Sequence, residues 1–573
     1  MEKERIVLDK LTLDTLFNYS VKTYAERNVV SKVGKVPMRY DEMGILVDDL
    51  SAQLHLNGIK KGDKVALLSE NMPHWGAAYF AITSMGAVVV PILPDFHASE
   101  VRHILHHAEC KALFASKRLI GIVEEEKPEN IEFVIRLDDL ELIEALSTQE
   151  TKRQGLLKKG GEKLSQLKQS AKDFRGKKSS EKEPISIEED DVATIIYTSG
   201  TTGSSKGVIL THKNLVFETI AAQSLVDITK EDRFLSILPL AHTLECTIGF
   251  LIPVLNGSCV YYIDKVPTPR VLIDAMAQVK PTFMVSVPLI IEKIFKSKVL
   301  SVFQKNWFIR FLYSIPFIRR FLHRMAGKKL LQTFGGELKF FGIGGAALSK
   351  QVEIFLEEAN FPYAIGYGLT ETAPLLAGAA PGKTRIGSTG PALEGVELKI
   401  DESTAKEGDG EILARGANIM QGYYKDPERT AEVLDEEGWF HTGDLGYFDK
   451  DGYLFISGRS KNVIVGSGGE NIYPEQIESI VNENELVADS LVFDDMGKLV
   501  ARIHLDYEKI DARFEGLSDS QIHEKIELLL EELRLEANKK VSSFSRMMRF
   551  IEQQEPFVKT PTKKIKRYLY TNG

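Results

Sequence analysis

The fold of this chain is first indicated by the stretch Tyr197-Thr-Ser-Gly-Thr-Thr-Gly-Ser-Ser-Lys-Gly-Val208. The apolar run at 193–198 predicts a buried strand, and it leads into a loop dense in Gly, Ser and Thr. Glycines let backbone N–H groups approach a polyanion, hydroxyls add donors, and Lys206 adds a positive charge. The stretch therefore predicts a phosphate-binding loop at the end of a strand.

This loop differs from the Walker A loop of phosphoryl-transfer enzymes. A Walker A loop needs Ser or Thr directly after its lysine, so that the hydroxyl reaches magnesium. Here Gly207 follows Lys206, so phosphoryl transfer, with ADP as product, fits poorly. A flexible connector could also contain Gly, Ser and Thr, but the lysine and the preceding strand favour phosphate binding.

Around this loop, short apolar runs alternate with amphipathic segments over about the first 380 residues. Further strands are predicted at 65–68, 87–93, 112–115, 234–238, 259–263, 283–287 and 338–342, and helices at 75–85, 101–107, 271–279 and 351–360. This alternation is typical of an α/β fold, in which mainly parallel sheets carry helices on their faces.

The pattern changes in the last third of the chain. Between 387 and 459, short strands separated by Gly, Asp and Glu turns predict a small β-barrel or antiparallel sheet. From 461 onward, strands at 490–493 and 499–505 and an amphipathic helix at about 520–539 predict a small α+β region. We therefore expect a large domain at 1–459 with several subdomains, and a small C-terminal domain at 461–573.

Composition excludes several classes of protein. The chain has 573 residues and a net charge of -9, which argues against a nucleic-acid partner. Its three cysteines are widely spaced, so we expect reduced core residues and neither a disulfide framework nor a zinc site. The charged N-terminus lacks the pattern of a signal peptide. The uncharged run at 246–263 is broken by Asn256-Gly257, which predicts a buried helix followed by a strand and, with the N-terminus, a cytoplasmic protein.

Two segments interrupt the alternation. Residues 151–183 are rich in Lys and Ser, and we interpret them as a solvated linker or short surface helix. Residues 293–336 contain no Asp or Glu, and they place aromatic side chains at helical spacing among Arg and Lys. That combination is typical of a helix on an anionic bilayer, so a peripheral contact with the inner face of the membrane is one hypothesis. An ordinary helical pair packed on the main domain is the alternative.

The loop at 197–208 closely resembles the phosphate loop of the adenylate-forming superfamily, which includes acyl-CoA synthetases, luciferases and peptide-synthetase adenylation domains. Ser205 stands where that family commonly has proline. Further segments resemble the family in the same order: Pro239-Leu-Ala-His-Thr-Leu-Glu245, Gly342-Ile-Gly-Gly-Ala-Ala-Leu348, Gly366-Tyr-Gly-Leu-Thr-Glu-Thr372, Gly438-Trp-Phe-His-Thr-Gly-Asp-Leu-Gly446, Ser457-Gly-Arg-Ser-Lys-Asn462, Gly466-Ser-Gly-Gly-Glu-Asn-Ile-Tyr-Pro474 and Lys559-Thr-Pro-Thr-Lys-Lys-Ile-Lys-Arg567. The layout is most similar to bacterial long-chain fatty-acid–CoA ligases.

The resemblance implies roles for individual residues. The implied catalytic residues are Lys206, His242, Thr370, Glu371 and Lys564. The implied ATP and AMP contacts are Thr198, Ser199, Gly200, Thr201, Thr202, Gly203, Lys206, Gly344, Gly345, Tyr367, Gly368, Thr370, Asp444, Arg459 and Lys564. Glu371 and Thr201 would hold Mg²⁺, Gly468 and Gly469 would line the coenzyme A tunnel, and Lys461 would be the hinge, at 460–462, of a mobile C-terminal domain. Lys563 stands where the family usually has glycine, so either lysine could serve.

The implied reaction has two steps. ATP activates a carboxylic acid as its acyl-adenylate with release of pyrophosphate, and the acyl group then passes to coenzyme A. The apolar stretches 246–255 and 285–291 favour a long fatty acyl chain. A medium-chain or aryl acid, or an acyl carrier protein as acceptor, is the alternative, and a non-catalytic lipid or nucleotide sensor is a more remote one. Oligomeric state does not follow from the sequence, and a homodimer is one candidate.

Overall fold

The computed structural model describes residues 6–124, 128–143, 185–198, 205–264, 268–303, 307–406, 409–466, 470–560 and 563–571. The predicted linker at 151–183 lies outside the described residues. So do residues 199–204, which make up much of the predicted phosphate loop, and residues 467–469.

The described strands belong to five sheets. In chain order they are β1 Asn28–Lys32, β2 Met38–Arg39, β3 Lys64–Leu68, β4 Val88–Ile92, β5 Cys110–Ala115, β6 Phe133–Arg136, β7 Glu141–Ile143, β8 Val192–Thr198, β9 Lys206–Thr211, β10 Arg233–Ser236, β11 Cys259–Tyr262, β12 Phe283–Ser286, β13 Phe340–Ile343, β14 Tyr363–Gly368, β15 Leu375–Ala379, β16 Val396–Lys406, β17 Asp409–Gly416, β18 Gly422–Tyr423, β19 Phe440–Phe448, β20 Leu454–Arg459, β21 Ile464–Val465, β22 Asn471–Ile472, β23 Val487–Asp495, β24 Lys498–Leu505 and β25 Arg549–Glu552.

Helices connect most of these strands. The α-helices are Leu13–Tyr24, Tyr40–Leu56, Pro73–Thr83, Ala98–His107, Gly121–Glu124, His212–Ala221, Ile252–Leu255, Pro269–Val279, Pro288–Ile294, Ser301–Phe303, Trp307–Ser314, Pro316–Thr333, Lys350–Glu358, Pro427–Val433, Pro474–Val481, Tyr507–Arg513 and Asp519–Asn538. The segments Glu245–Leu251 and Phe295–Leu300 are π-helical. Single 3₁₀ turns span Ala222–Leu225, Thr370–Thr372, Ser460–Asn462, Ser543–Ser545 and Arg567–Leu569.

Two large sheets form the body of the protein, as the alternation predicts. Within the described ranges the first has the order β15-β14-β13-β12-β10-β11-β1-β2, and the second has the order β18-β9-β8-β4-β3-β5-β6-β7. Central pairs are parallel, as in β12–β13 and β3–β4, whereas the edges are antiparallel. The predicted strands are present, with ends shifted by one or two residues.

The core between the two sheets contains helix Pro73–Thr83, which is buried almost along its whole length. Trp75 and Phe80 of this helix pack against Phe250 of the π-helix. A Cβ on Gly76 would lie 2.4 Å from the Phe250 ring, so the two helices meet at a contact that only glycine allows. The run at 246–263 is thus a buried helix and a strand, as predicted.

The β-barrel expected at 387–459 is not confirmed. Strands β16, β17, β19 and β20 form an antiparallel sheet in that order. Strand pairing among the described residues leaves this sheet open, because β16 and β20 stay at its two edges. Of the two predicted arrangements, the antiparallel sheet is therefore the one that forms.

The C-terminal region has its own sheet and core. Strand β24 lies between β23 and β25, and helix Asp519–Asn538 buries Leu529 and Leu533 in the same core. Over the described part of the chain, no helix is long and apolar enough to cross a membrane. All three cysteines are buried and free, as expected.

Candidate active site

One cavity of about 3930 Å³ is lined by many of the predicted site residues. It opens beyond the carboxyl ends of β8, β13 and β14, the place where ligands bind in open parallel sheets. The described site residues that line it are Thr198, Lys206, His242, Gly344, Gly345, Tyr367, Gly368, Thr370, Glu371, Asp444, Arg459, Lys461 and Lys564. Ser199, Gly200, Thr201, Thr202, Gly203, Gly468 and Gly469 lie outside the described residues.

Lys206 and Glu371 form a partly buried ion pair at one wall. Lys206 starts β9, and its Nζ lies 2.7 Å from Glu371 Oε1. The Tyr423 hydroxyl lies 2.6 Å from the same Nζ and donates to Glu371 Oε1 at 3.0 Å. Burial disfavours the charged carboxylate, but Lys206 and Tyr423 together keep the pKa of Glu371 below its usual value. Glu371 is therefore an anion at neutral pH, as a magnesium ligand must be.

A second polar cluster lies where β14, β19 and β20 converge. The Tyr367 hydroxyl donates to Asp444 Oδ2 at 2.9 Å, and Arg459 Nε lies 3.1 Å from Asp444 Oδ1. Burial raises the pKa of Asp444, and Arg459 opposes that rise. Asp444 and Arg459 are register partners in the β19–β20 ladder, so the sheet itself fixes their contact.

Lys564 reaches this cluster from the C-terminal region. Burial, followed by repulsion from Arg459, lowers its pKa, while Asp444 and Glu371 attract the ammonium and oppose the shift. Its side chain lines the cavity and is exposed there. Burial and then Lys564 lower the pKa of His242 to about 4, so that imidazole is neutral at pH 7.

Two glycines keep backbone close to the cavity. A Cβ on Gly368 would lie 1.8 Å from the carbonyl oxygen of Pro374, so the strand end tolerates no side chain there. Gly345 has φ +84°, the left-handed region that glycine adopts without strain. Beside them, Thr198 Oγ1 is buried with no hydrogen-bond partner among the described residues, an arrangement that suits a phosphate acceptor nearby.

The segment that carries Lys564 is attached to the C-terminal region by two ion pairs. Arg567 Nη1 donates to both carboxylate oxygens of Glu478, at 2.8 and 3.0 Å, and Arg567 Nη2 donates to the carbonyl of Val492 at 2.6 Å. Lys559 Nζ lies 2.7 Å from both oxygens of Asp489. The two pairs flank Lys564 in sequence and so hold its position.

Lys563 contacts the other side of the cleft. It has φ +64°, the left-handed region that glycine adopts most easily. Its Nζ lies 3.3 Å from Asp95 Oδ2, and both side chains are well exposed. The geometry separates the two lysines, since Lys563 faces Asp95 and Lys564 faces the Asp444 cluster.

Part of the cavity wall is apolar, and we call this part the apolar branch. Its walls are formed by Leu225, Ile248, Val285, Phe340 and Leu375, which also border a smaller apolar cavity deeper in the domain. The stretches predicted to contact an acyl chain, 246–255 and 285–291, thus both contribute to this branch. It has the chemistry to hold a hydrocarbon chain.

Sequence reasoning missed Tyr423 and Glu245. Tyr423 lies in an aromatic pair without a distinctive pattern, so its contact with Lys206 and Glu371 is visible only in the fold. Glu245 begins the uncharged run, and burial raises its pKa to about 8, so it is largely a neutral acid at pH 7. In the sequence, only the position of Glu245 directly before the uncharged run at 246–263 indicates that this carboxyl is buried.

The donor set suits magnesium held together with a nucleotide. The described residues contain no group of three or more acidic, His or Cys side chains that could hold a metal alone. Mg²⁺ commonly takes one or two carboxylates together with substrate phosphates. Glu371 beside the predicted phosphate loop fits that pattern.

Known proteins are similar to this chain in sequence and in architecture. The AMP-binding enzyme family matches residues 17–424, and the AMP-binding enzyme C-terminal domain matches residues 461–572. The peroxisomal long chain acyl-CoA synthetase 7 of Arabidopsis thaliana is 28% identical, over 97% of this chain and 84% of its own. The long-chain-fatty-acid–CoA ligase heimdall of Drosophila melanogaster is 30% identical, over 86% and 76%. The crystal structure of an anthranilate CoA ligase in complex with anthranoyl-AMP superposes with a TM-score of 0.74 at 20% identity, over 97% of this chain and 96% of that one. The chain therefore belongs to the AMP-binding enzyme family.

Proposed function

We propose that the protein activates a long-chain fatty acid with ATP as its acyl-adenylate, releases pyrophosphate, and then transfers the acyl group to coenzyme A. One observation carries the proposal: the apolar branch and the polar clusters line a single cavity, to which His242 and Lys564 also contribute. The names of the similar ligases and synthetases support the same chemistry.

In the first step a carboxylate attacks the α-phosphate, so two anions must approach each other. Lys564 supplies a cation near the point of attack, and Lys206 supplies another at the start of β9. Glu371, kept ionised by Lys206 and Tyr423, would hold Mg²⁺, which supplies charge neutralisation on the phosphates when bound. Removing one such contact commonly costs about 3 kcal/mol of transition-state stabilisation.

The nucleoside would lie against the cluster at Tyr367 and Asp444. Asp444 is buried and ionisable, and a carboxylate accepts hydrogen bonds from two ribose hydroxyls. Tyr367 orients that carboxylate through its own hydroxyl. Neutral His242 would border the acyl branch without adding charge to it.

In the second step the thiol of coenzyme A attacks the acyl-adenylate. We propose that the C-terminal domain turns about residues 460–462, withdraws Lys564 and brings the loop of Gly468 and Gly469 to the cavity. Lys461 is exposed in the 3₁₀ turn Ser460–Asn462, where a change of backbone angles would displace little packing. A thiol of pKa about 8.5 is partly ionised near neutrality, so no strong base is required.

We propose a cytoplasmic enzyme with a peripheral membrane contact at residues 293–336. A ligase for medium-chain or aryl acids, or one that loads an acyl carrier protein, would use the same polar clusters. The apolar branch favours the long-chain acid over these alternatives.

The test is to incubate the protein with ATP, Mg²⁺, coenzyme A and acids ranging from acetate to palmitate, oleate and a cinnamate, and to quantify AMP and thioester. We expect AMP and thioester to rise together with palmitate and oleate. AMP only with short or aryl acids would overturn the chain-length proposal and keep the mechanism. Absence of AMP with every acid, even after an acyl carrier protein is added, would refute the catalytic proposal.

A further inference from the structure

The helices Trp307–Ser314 and Pro316–Thr333 are both attached to the main domain by one face. Arg319 donates two hydrogen bonds to Glu358, at 3.1 and 2.7 Å, and His323 Nδ1 lies 2.7 Å from the same carboxylate. Tyr313 bonds His323 at 2.8 Å and links the first helix to the second. A Cβ on Gly327 would lie 2.6 Å from that of Ala359, so the second helix packs tightly on the C-terminal end of helix Lys350–Glu358. The pair is a folded part of the domain.

The opposite face presents large apolar side chains to solvent. The exposed fractions are 78% for Trp307, 58% for Phe311, 74% for Phe317, 63% for Phe321 and 57% for Met325. Within each helix these residues are four apart, so they share a face. Scattered exposed apolar residues are ordinary, but five large ones in two consecutive helices are typical of an interaction site. We call it the outer face.

The charges on the outer face have one sign. Arg320, Arg324, Lys328 and Lys329 are exposed on the second helix, between and beside its apolar residues. Residues 293–336 contain no Asp or Glu. Arg324, Lys328 and Lys329 have no ion pair within the described part of the chain, although Arg320 also approaches Glu358 at 3.6 Å. A partner that matches the outer face therefore combines apolar groups with negatively charged groups.

A bilayer meets both requirements. Aromatic rings insert at the boundary between headgroups and acyl chains, and Lys and Arg attract anionic lipids. A second copy of the chain is a poorer partner, because a symmetric contact of outer face against outer face would bring together cations of like sign.

The outer face is also linked to the proposed site. Helix Pro288–Ile294 borders the main cavity through Leu289 and Lys293, and the chain continues from it toward helix Trp307–Ser314. A protein docked by the outer face would thus have a cavity-lining helix a short distance along the chain from its membrane contact.

We propose that the outer face docks the protein on a bilayer containing anionic phospholipid, with the rings of Trp307, Phe311, Phe317 and Phe321 at the depth of the headgroup boundary. The proposal rests on the proposed function in one respect: docking would allow the enzyme to take its fatty acid from that bilayer. Docking itself requires neither ATP nor catalysis.

The experiment is cosedimentation of the full chain with vesicles of phosphatidylcholine alone or of equal parts phosphatidylcholine and phosphatidylglycerol, without substrates. We expect binding to the anionic vesicles that weakens as salt is raised. Phe317→Glu with Phe321→Glu should lower that binding by at least about tenfold, because both rings leave the apolar layer and bring negative charge. Arg324→Gln, Lys328→Gln and Lys329→Gln together should abolish the preference for phosphatidylglycerol.

The matched control is Phe544→Glu with Met496→Glu, which changes two exposed apolar side chains of the C-terminal region and should leave binding unchanged. Equal binding by the Phe317 and Phe321 variant and the native chain would overturn the proposal. So would a variant that loses self-association, measured by light scattering, while retaining vesicle binding. Whatever activity the native chain has with soluble octanoate should be unchanged in the outer-face variants. Because vesicle binding is measured without substrates, a native chain that binds vesicles but lacks activity would refute the proposed function and leave the docking proposal standing.

Discussion

Replacing Arg567 with Gln should release the segment that carries Lys564 and impair only the first half-reaction. Arg567 makes two charge-assisted bonds to Glu478 and one to the Val492 carbonyl, and both charged side chains are largely buried. Breaking a buried pair by removing one partner costs about 3–5 kcal/mol when the remaining charge stays buried. Burial, with Arg567 opposing it, raises the pKa of Glu478 to about 7, so the stranded carboxyl can take up a proton and limit the penalty.

We therefore assign about 2 kcal/mol to the docking of this segment, which is a roughly thirtyfold loss of the docked form. The first half-reaction is measured by exchange of pyrophosphate into ATP in the presence of palmitate, and it should fall about thirtyfold. The second is measured by thioester formation from supplied palmitoyl-AMP and coenzyme A, and it should stay near the native rate, because the proposed domain rotation withdraws Lys564 in that step.

The matched control is Arg549→Gln, which removes an exposed pair with Asp495 on the same region and should change neither half-reaction. Thermal unfolding of both variants should show that the C-terminal region is intact. An equal loss in the two half-reactions, or no loss in either, would refute the reasoning that Arg567 acts by positioning Lys564.

Three further predictions concern stability and specificity. Burial raises the pKa of Glu245 to about 8, so the native state loses stability as pH rises from about 4.5 through 8, by about 5 kcal/mol. Glu245→Gln should flatten that slope in urea unfolding across this pH range, and a slope parallel to that of the native chain would contradict the argument. Gly368→Ala should destabilise the protein by about 3 kcal/mol or more in the same assay, because its Cβ would overlap the Pro374 carbonyl, whereas Gly344→Ala meets only a side chain at 3.3 Å and should cost about 1 kcal/mol or less. Ile248→Trp should fill the apolar branch and lower kcat/KM for palmitate by about tenfold or more, while kcat/KM for octanoate changes little. Equal losses for the two acids would show that the acyl chain of the substrate binds elsewhere.

Much of the large domain could be predicted from local pattern. Strands such as β3, β4 and β5 are short apolar runs flanked by turns, so composition and period identify them without knowledge of their neighbours. The uncharged run at 246–263 contains its own break at Asn256-Gly257, which separates helix from strand. The barrel is not confirmed, and the sequence could not decide between barrel and open sheet, because closure depends on whether two edge strands meet, which no strand encodes by itself.

The sequence by itself determined the order of the phosphate, nucleoside and C-terminal lysine segments, because each is a contiguous run whose residue types carry its chemistry. Only the tertiary structure decided that Tyr423 bonds both Lys206 and Glu371, that Lys563 and Lys564 face different partners, and that the outer face is exposed. The physical reason is distance along the chain: Tyr423 and Lys206 are 217 residues apart, and their contact exists only after β18 pairs with β9. Periodicity can show that a helix has an apolar face, but only packing shows whether that face is covered.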